Sequence, residues 1–272
     1  MDCWICTTCG TQFAQSQTPP TGCPICQDKR QYIGHEGQKW TTLASMQAGG
    51  FHNVFKEYEP HLTGIGTEPS FAIGQRALLV QTDQGNVLWD CISYLDNDTL
   101  TAIQQRGGLK AIAISHPHFY TSVVEWAERF DAYIYLHEAD CQWVMRPSDR
   151  ITFWPGETLP LVDDITLVRL GGHFAGSTVL HWRSGADGKG ALLTGDTIQV
   201  VADPHWVSFM YSYPNFIPLP ASEISRIRDT IAQYNFERLY GMRFESVVVA
   251  DAKNVVMQSA DRYMRALEQR LT

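Results

Sequence analysis

Five of the seven cysteines lie in the first 26 residues of this 272-residue chain. Four of them form two Cys-x-x-Cys pairs, Cys6 with Cys9 and Cys23 with Cys26, and thirteen residues separate the pairs. This spacing is typical of a tetrahedral site in which four thiolates hold one ion. A segment of roughly 30 residues cannot build a core that folds alone, so a bound ion would supply the missing stability. We therefore predict a four-cysteine metal-binding module over residues 1–34.

The same segment carries further signs of a metal-binding turn. Gly10 can take the positive φ that brings backbone amides towards the sulfurs, and Pro24 stiffens the second turn. Cys3 is spare in this scheme, although Cys3 with Cys6 stays open as an alternative pair. Over residues 3–34 the pattern resembles the rubredoxin-like domains at the end of rubrerythrins. That resemblance implies iron that carries single electrons, but four thiolates also hold zinc in structural sites, and the sequence favours neither metal.

The charge and hydropathy of the chain limit its partners. The formal net charge is −8 and no cluster of lysine and arginine is visible, so we expect no binding to nucleic acid. No run reaches the roughly 18 apolar residues of a membrane span, and no signal peptide is visible. These observations predict a cytoplasmic protein with no membrane contact. Its expected partners are a small-molecule substrate and, for an iron-loaded module, a redox partner.

Residues 35–272 are predicted to form one domain of mixed strands and helices. Residues 41–69 contain several glycines and are predicted to be loops around short strands. Apolar runs bounded by turn residues predict strands over residues 77–82, 86–91, 110–115, 132–136, 165–170, 178–182 and 191–194. Helical periodicity predicts helices over residues 99–105, 121–130, 222–233 and 255–269. Asp98 is the predicted N-cap of the first of these helices.

Side chains that bind metal ions follow three of the predicted strands. His116 and His118 come after a continuous apolar strand, and Pro117 between them is expected to keep the backbone extended, so that both imidazoles point to one side. His173 lies in a glycine-rich turn, and Asp196 lies on the turn after another apolar strand. Three imidazole nitrogens and one carboxylate suit zinc or iron. We predict that the three histidines converge on one ion, with Asp196 either as a further ligand or as a base close to it.

In their order along the chain, these motifs resemble the metallo-β-lactamase superfamily over roughly residues 65–250. The resemblance implies an α/β fold, a four-layer αβ/βα sandwich, which here is preceded by the small rubredoxin-like module. It also implies that His116, His118 and His173 hold the first metal ion of the family and that Asp196 is its bridging ligand.

The match to the superfamily is incomplete at the second metal site. Tyr120 stands where the family's HxHxDH motif has Asp, Thr121 stands where it has the last His, and Met242 replaces a late His. None of these side chains is a common zinc ligand, so we predict a mononuclear site. The family's Asp orients the attacking water, whereas a phenol with a pKa of about 10 donates a hydrogen bond instead. We therefore predict Tyr120 as a donor to a developing oxyanion and Asp196 as the proton acceptor.

The leading prediction is a metal-dependent hydrolase, an enzyme that cleaves a small ester, thioester or lactone-like substrate through metal-bound water. Zinc or iron is expected in the main site, and zinc or iron in the four-cysteine site. Two alternatives stay open. One is an iron-dependent redox enzyme, with oxygen or sulfur chemistry and with the module as its electron-transfer site. The other is a non-catalytic scaffold that its metal ions stabilise.

Overall fold

The structure is a computed structural model that describes residues 1–162 and 164–268. The chain forms two compact units, Met1–Trp154 and Pro155–Thr272. The division falls inside the larger predicted domain, and the module boundary at residue 34 stays a prediction. None of the helices in the described residues is both long and apolar enough to cross a membrane.

The first unit contains short elements around the cysteines, followed by long hairpins and then by alternating strands and helices. Its strands are β1 (Ile5–Cys6), β2 (Trp40–Thr41), β3 (His52–Glu59), β4 (Leu62–Glu68), β5 (Ala77–Val80), β6 (Val87–Trp89), β7 (Ala111–Ala113), β8 (Tyr133–His137) and β9 (Ile151–Trp154). Its α-helices are α1 (Pro24–Gln27), α2 (Leu43–Ala48), α3 (Asn97–Gln105) and α4 (Val123–Phe130). Two 3₁₀ helices cover Pro117–Phe119 and Glu138–Trp143.

Among the described residues of the first unit, β3 to β9 form a seven-stranded sheet in chain order. The pairs from β3 to β6 are antiparallel, as hairpins require, and the pairs from β6 to β9 are parallel. Parallel neighbours need a crossover connection, and α3, α4 and the 3₁₀ helix Glu138–Trp143 lie in the three connections. Strands β5, β6 and β7 are fully buried, which explains their continuous apolar sequences. The carboxyl end of β7 leads directly to His116.

Two predictions about the secondary structure of residues 41–105 are wrong. Residues 41–69 contain the two long strands β3 and β4, because the glycines of β4 pair in register with β3 and do not break it. The N-cap of α3 is Asp96, whose carboxylate accepts a hydrogen bond from the amide of Thr99 at 2.7 Å. Asp98 lies in the first turn of the helix, where its charge still favours the helix dipole.

The second unit has the same mixed character. Its strands are β10 (Thr158–Val162), β11 (Ile165–Arg169), β12 (Thr178–Trp182), β13 (Ala191–Gly195), β14 (Gln199–Val200), β15 (Val207–Ser208), β16 (Met210–Ser212), β17 (Ile217–Pro218), β18 (Arg238–Gly241) and β19 (Val247–Val248). Its helices are α5 (Gly185–Gly188), α6 (Ala221–Ile231) and α7 (Ala252–Leu267). The predicted end of the last helix, residue 269, lies outside the described residues.

In the described part of the second unit, a six-stranded sheet has the order β10, β11, β12, β13, β18, β19. Only the β13–β18 pair is parallel, and α6 lies in the chain between these two strands. Helix α6 buries Ile224, Ile227 and Ile231, which recur at helical spacing on one face. These residues belong to the same core as Val256 and Ala260 of α7. This core also contains Leu170 and Ile198, which are close in sequence to His173 and Asp196.

Candidate metal centres

The four-cysteine cluster consists of Cys6, Cys9, Cys23 and Cys26, which all have buried side chains. Each offers a sulfur, and the four sulfurs lie within 4.8 Å of one another. The sulfurs of Cys6 and Cys26 are 3.5 Å apart, and those of Cys9 and Cys23 are 3.6 Å apart. Strand β1 ends at the first cysteine, and the chain turns back through Gly10, whose φ of 83° suits glycine. The second pair brackets the first turn of α1.

Protonation of the cluster shows why a cation fits it. The pKa of the Cys6 thiol is lowered because Cys23 and Cys26 donate hydrogen bonds to its sulfur. The pKa of Cys9 is raised well above its ordinary value, first through its hydrogen bond with Cys23. The side-chain amide of Gln38 also donates to the sulfur of Cys6, at 3.1 Å. A divalent cation can take the place of the shared protons, because a thiol that coordinates a metal ion is deprotonated.

His116 and His118 lie just beyond β7, on a turn that the preceding residue fixes. The amide of Ser115 donates to Asp90 Oδ1 at 2.7 Å, and the Ser115 hydroxyl lies 2.8 Å from Nδ1 of His116. Both imidazoles are buried, with ring centroids 5.1 Å apart. The prediction of an extended backbone through Pro117 is wrong, since this residue begins a 3₁₀ helix. The fixed φ of proline suits a first helical position, and the tight turn still brings the imidazoles together.

His173 lies in the predicted glycine-rich turn, and the backbone around it fixes the ring. Gly171 and Gly172 have φ values of 61° and 79°, which a residue with a side chain rarely adopts. The Nδ1–H of His173 donates to the carbonyl oxygen of Met210 at 3.1 Å. A carbonyl can only accept, so Nε2 keeps the lone pair that a metal ion needs. Nε2 lies 3.9 Å from Oδ2 of Asp196, which follows β13.

The second group of ligand side chains is the His/Asp group, which we define as His116, His118, His173 and Asp196. All four are buried, and each offers one ligand atom within 4.8 Å of the others. A set of three imidazoles and one carboxylate fits zinc or iron. The structure therefore brings together the side chains that the sequence predicted to converge. It does the same for the four cysteines.

The residues predicted to stand in place of second-site ligands have other surroundings. The Tyr120 hydroxyl donates to the carbonyl oxygen of Asp140 at 3.5 Å, and burial raises the pKa of Tyr120 well above its ordinary value. Thr121 has a φ of 40°, an unusual value for a β-branched residue. Met242 is buried just beyond β18. The roles predicted for these residues, and for Asp196 as proton acceptor, stay predictions.

Sequence reasoning missed the groups that orient the ligand rings. Ser115 could have been considered, because it directly precedes His116 and its hydroxyl can pair with an imidazole nitrogen. The carbonyl of Met210 gave no signal, because any residue has a carbonyl and only folding brings it to His173. Tyr213 is a further neighbour, with its ring centroid 6.0 Å from that of His173.

Comparisons with known proteins bear on the fold and on the sequence as a whole. No protein-family model matches the chain. The crystal structure of DIM-1 metallo-β-lactamase superimposes with a TM-score of 0.60 at 14% identity, over 79% of this chain and 98% of that one. The chemotaxis sensor ODP, solved as a peroxy diiron species, superimposes with a TM-score of 0.54 at 15% identity, over 78% of this chain and 94% of that one.

The fold and the two ligand groups define a protein of the metallo-β-lactamase fold that carries an N-terminal four-cysteine cluster, as the sequence predicted. The chain belongs to the family of the uncharacterized protein YmaE of Bacillus subtilis (strain 168). The two are 54% identical over 272 residues, which is 100% of this chain and 99% of the relative.

Proposed function

We propose that the chain is a metal-dependent hydrolase with one ion in the His/Asp group. The observation that carries this proposal is the convergence of four buried ligand atoms within 4.8 Å of one another. An ion held there lowers the pKa of water and polarises a carbonyl oxygen, which is the chemistry that hydrolysis of an acyl bond needs. The likeness to a metallo-β-lactamase supports the same class of reaction, although at 14% identity it concerns the fold.

The role that we propose for each side chain follows from its contacts. The Met210 carbonyl fixes the tautomer of His173, and the hydroxyl of Ser115 orients His116. Asp196 is the carboxylate of the group and can receive a proton from the attacking water. Tyr120 stays the proposed donor to the developing oxyanion, and its hydroxyl lies 3.5 Å from the Asp140 carbonyl oxygen.

A single ion is part of the proposal because the chain replaces three ligands of a second one. The phenol of Tyr120, the hydroxyl of Thr121 and the thioether of Met242 are poor zinc ligands. Asp196 alone cannot supply the three or four ligands that a stable second ion requires. We expect one ion in the His/Asp group and one in the cysteine cluster.

The experiment combines metal analysis with a substrate panel. Purified untagged protein is assayed for bound metals and for hydrolysis of small esters, thioesters and lactones, beside the His118→Ala variant. We expect two metal equivalents, and activity on one acyl class that His118→Ala loses together with one equivalent. Three retained equivalents would rule out the mononuclear site. A fully loaded protein that cleaves none of the panel would refute the substrate class.

A redox enzyme is the second candidate, and the buried four-thiolate cluster is the observation that favours it, because such a cluster can hold iron. The likeness to a sensor solved as a diiron species points the same way. Oxidised iron in four thiolates is red, so the visible spectrum of freshly purified protein separates the candidates. A colourless protein loaded with zinc would exclude electron transfer through the cluster.

The compartment and the partners also belong to the proposal. All seven cysteines are free thiols, which agrees with a reducing compartment such as the cytoplasm. We propose a small-molecule substrate, no nucleic acid, no membrane contact, and a redox partner only for an iron-loaded cluster. Fractionation of cells with an antibody to the native protein tests the location.

A further inference from the structure

The turn after Cys6 and Cys9 is hydrogen-bonded to the loop that carries His116 and His118. Directly after Cys9, the carbonyl of Gly10 accepts a hydrogen bond from the Ser93 hydroxyl at 2.9 Å. Two residues later the amide of Gln12 donates to the carbonyl of Thr121 at 2.9 Å. Thr121 is three residues beyond His118. A short run of main chain therefore connects the two ligand groups.

Little room is left for a side chain at position 10, and the φ of 83° at Gly10 is one that other residues rarely adopt. An ideal Cβ on Gly10 would lie 2.4 Å from Oγ of Ser93 and 3.6 Å from Cγ2 of Thr121. Ser93 also accepts, through its own carbonyl, a hydrogen bond of 2.6 Å from the Ser122 hydroxyl. Ser93 thus holds the cysteine turn with its side chain and the histidine loop with its backbone.

Thr121 is held in a conformation that it would not choose alone. Its φ of 40° lies in the left-handed region, which β-branched residues avoid because the branched side chain crowds the backbone. Such a conformation persists only where the surrounding structure determines it, and here the carbonyl of Thr121 is bound by the amide of Gln12. Loosening of the cysteine turn would therefore let Thr121 relax.

Successive backbone hydrogen bonds restrain the segment from His116 to Thr121, so it cannot accommodate that relaxation without moving. The amide of Phe119 donates to the carbonyl of His116 at 3.0 Å, and the amide of Tyr120 donates to Pro117 at 3.3 Å. The amide of Val123 donates to Tyr120 at 3.0 Å, which joins the turn to α4. A displacement at Thr121 is consequently passed to His118 through consecutive tight turns.

A half-buried arginine, Arg146, also connects the same two segments. The guanidinium of Arg146 donates to the side-chain oxygen of Gln12, and it pairs with Glu125 at 2.8 Å and with Glu128 at 2.9 Å. Both glutamates belong to α4, which starts two residues after Thr121. The cysteine turn is thus attached to the histidine loop and to the helix that follows it.

We propose that an ion in the four-cysteine cluster positions His116 and His118, so that filling the cluster raises the affinity of the His/Asp group for its own ion. This inference rests on the proposed metal site. Gly10, Ser93 and Gln12 are its positioning residues. Metal-ligand affinities change by roughly 10- to 100-fold when an orienting partner is lost, so a change of at least about 10-fold is expected here.

The test uses the full chain and zinc, with four variants. Cys23→Ser empties the cluster, Gly10→Ala strains the turn and displaces the Ser93 hydroxyl, and Ser93→Ala removes one link while leaving all four cysteines. Cys141→Ser, an exposed cysteine outside the cluster, is the control. Zinc affinity of the His/Asp group is measured by competition with a chelator, and amide hydrogen exchange is followed over residues 117–122.

We expect Cys23→Ser and Gly10→Ala to weaken zinc binding at the His/Asp group by about 10-fold or more, and Ser93→Ala to weaken it by less. Exchange over residues 117–122 should accelerate in the same order, while Cys141→Ser matches the wild type. Normal His/Asp affinity in Ser93→Ala and Gly10→Ala with the cluster filled would overturn the inference, whatever Cys23→Ser does. A wild type that binds no zinc outside the cluster would instead overturn the proposed function.

Discussion

The four-cysteine cluster and the His/Asp group are both buried sets of four ligands, but the chain builds them in different ways. The cysteines come from a stretch of 21 residues, Cys6 to Cys26, whose secondary structure is slight. The His/Asp ligands are spread from His116 to Asp196, and two of them closely follow the short, buried strands β7 and β13. We expect the first set to need its ion in order to fold, and the second set to keep its structure without one.

This difference sets what each ion contributes. In the cluster, binding free energy is also folding free energy, because the unbound segment has little core of its own. In the His/Asp group the side chains are already oriented by Ser115 and the carbonyl of Met210, so an ion adds reactivity more than structure. Removal of one ligand should therefore unfold the first site locally and only empty the second.

The largest effect is expected from Cys26→Ser. A structural ion contributes about 10–16 kcal/mol in zinc-finger peptides, so the segment around the cluster should lose its fold along with one metal equivalent. Trypsin should then cut after Lys29 and Arg30, the latter now half-buried against Asp28. Limited proteolysis with mass spectrometry measures this. Equal cleavage rates in Cys26→Ser and in the Cys141→Ser control would show that the segment around the cluster does not need its ion to fold.

A smaller structural effect but a complete functional one is expected from His118→Ala. The variant should lose the stabilisation that zinc gives at the His/Asp group, about 2.7 kcal/mol at a zinc concentration of 100 times the dissociation constant. Its far-ultraviolet circular dichroism should stay that of the wild type. Thermal melts with and without added zinc provide the measurement. Loss of the folded signal in His118→Ala would show that this ion, too, is structural.

Ser115→Ala sharpens the comparison further, because it removes an orienting group and no ligand. Loss of the 2.8 Å contact to His116 should lower metal affinity at the His/Asp group by about 10-fold and leave the cluster filled. Chelator competition followed by metal analysis separates the two sites. Ser115→Thr, which keeps a hydroxyl, is the matched control. Unchanged affinity in Ser115→Ala would mean that the ring is oriented by its packing alone.

The smallest effect is expected away from both sites. Asp96→Ala removes the N-cap of α3 and should lower the free energy of unfolding by about 1 kcal/mol, with both metal equivalents retained. Urea unfolding measures the change. Loss of metal in this variant would show that metal binding depends on the overall stability of the protein. That outcome would contradict the view that each site is determined by its own ligands and their neighbours.

Much of the fold could be predicted because the residues of each strand segment themselves indicate a strand. The run over residues 178–182 forms β12 as predicted, and the runs before His116 and Asp196 form the strands that carry them. The eight ligand residues were predicted for the same reason, since cysteine pairs and histidines at strand ends are visible in single segments.

The remaining features depend on contacts between distant segments. Asp96 and Asp98 are equally good N-cap residues in the sequence, and only the pairing of Asp96 with the amides of Thr99 and Asn53 decides between them. Pro117 favours an extended chain as readily as a first helical turn. The hydrogen bond from His173 to Met210 spans 37 residues and has no local signature.

The spacing of the two ligand sets also has a consequence during biosynthesis. A ribosome adds about 5–20 residues per second, so roughly 10–30 s pass between Cys26 and Asp196. Throughout this interval the nascent chain has four thiols and an incomplete His/Asp group. The cysteines therefore meet the metal pool of the cell before their competitors within the same molecule exist, and the order of translation helps to decide which ion each site receives.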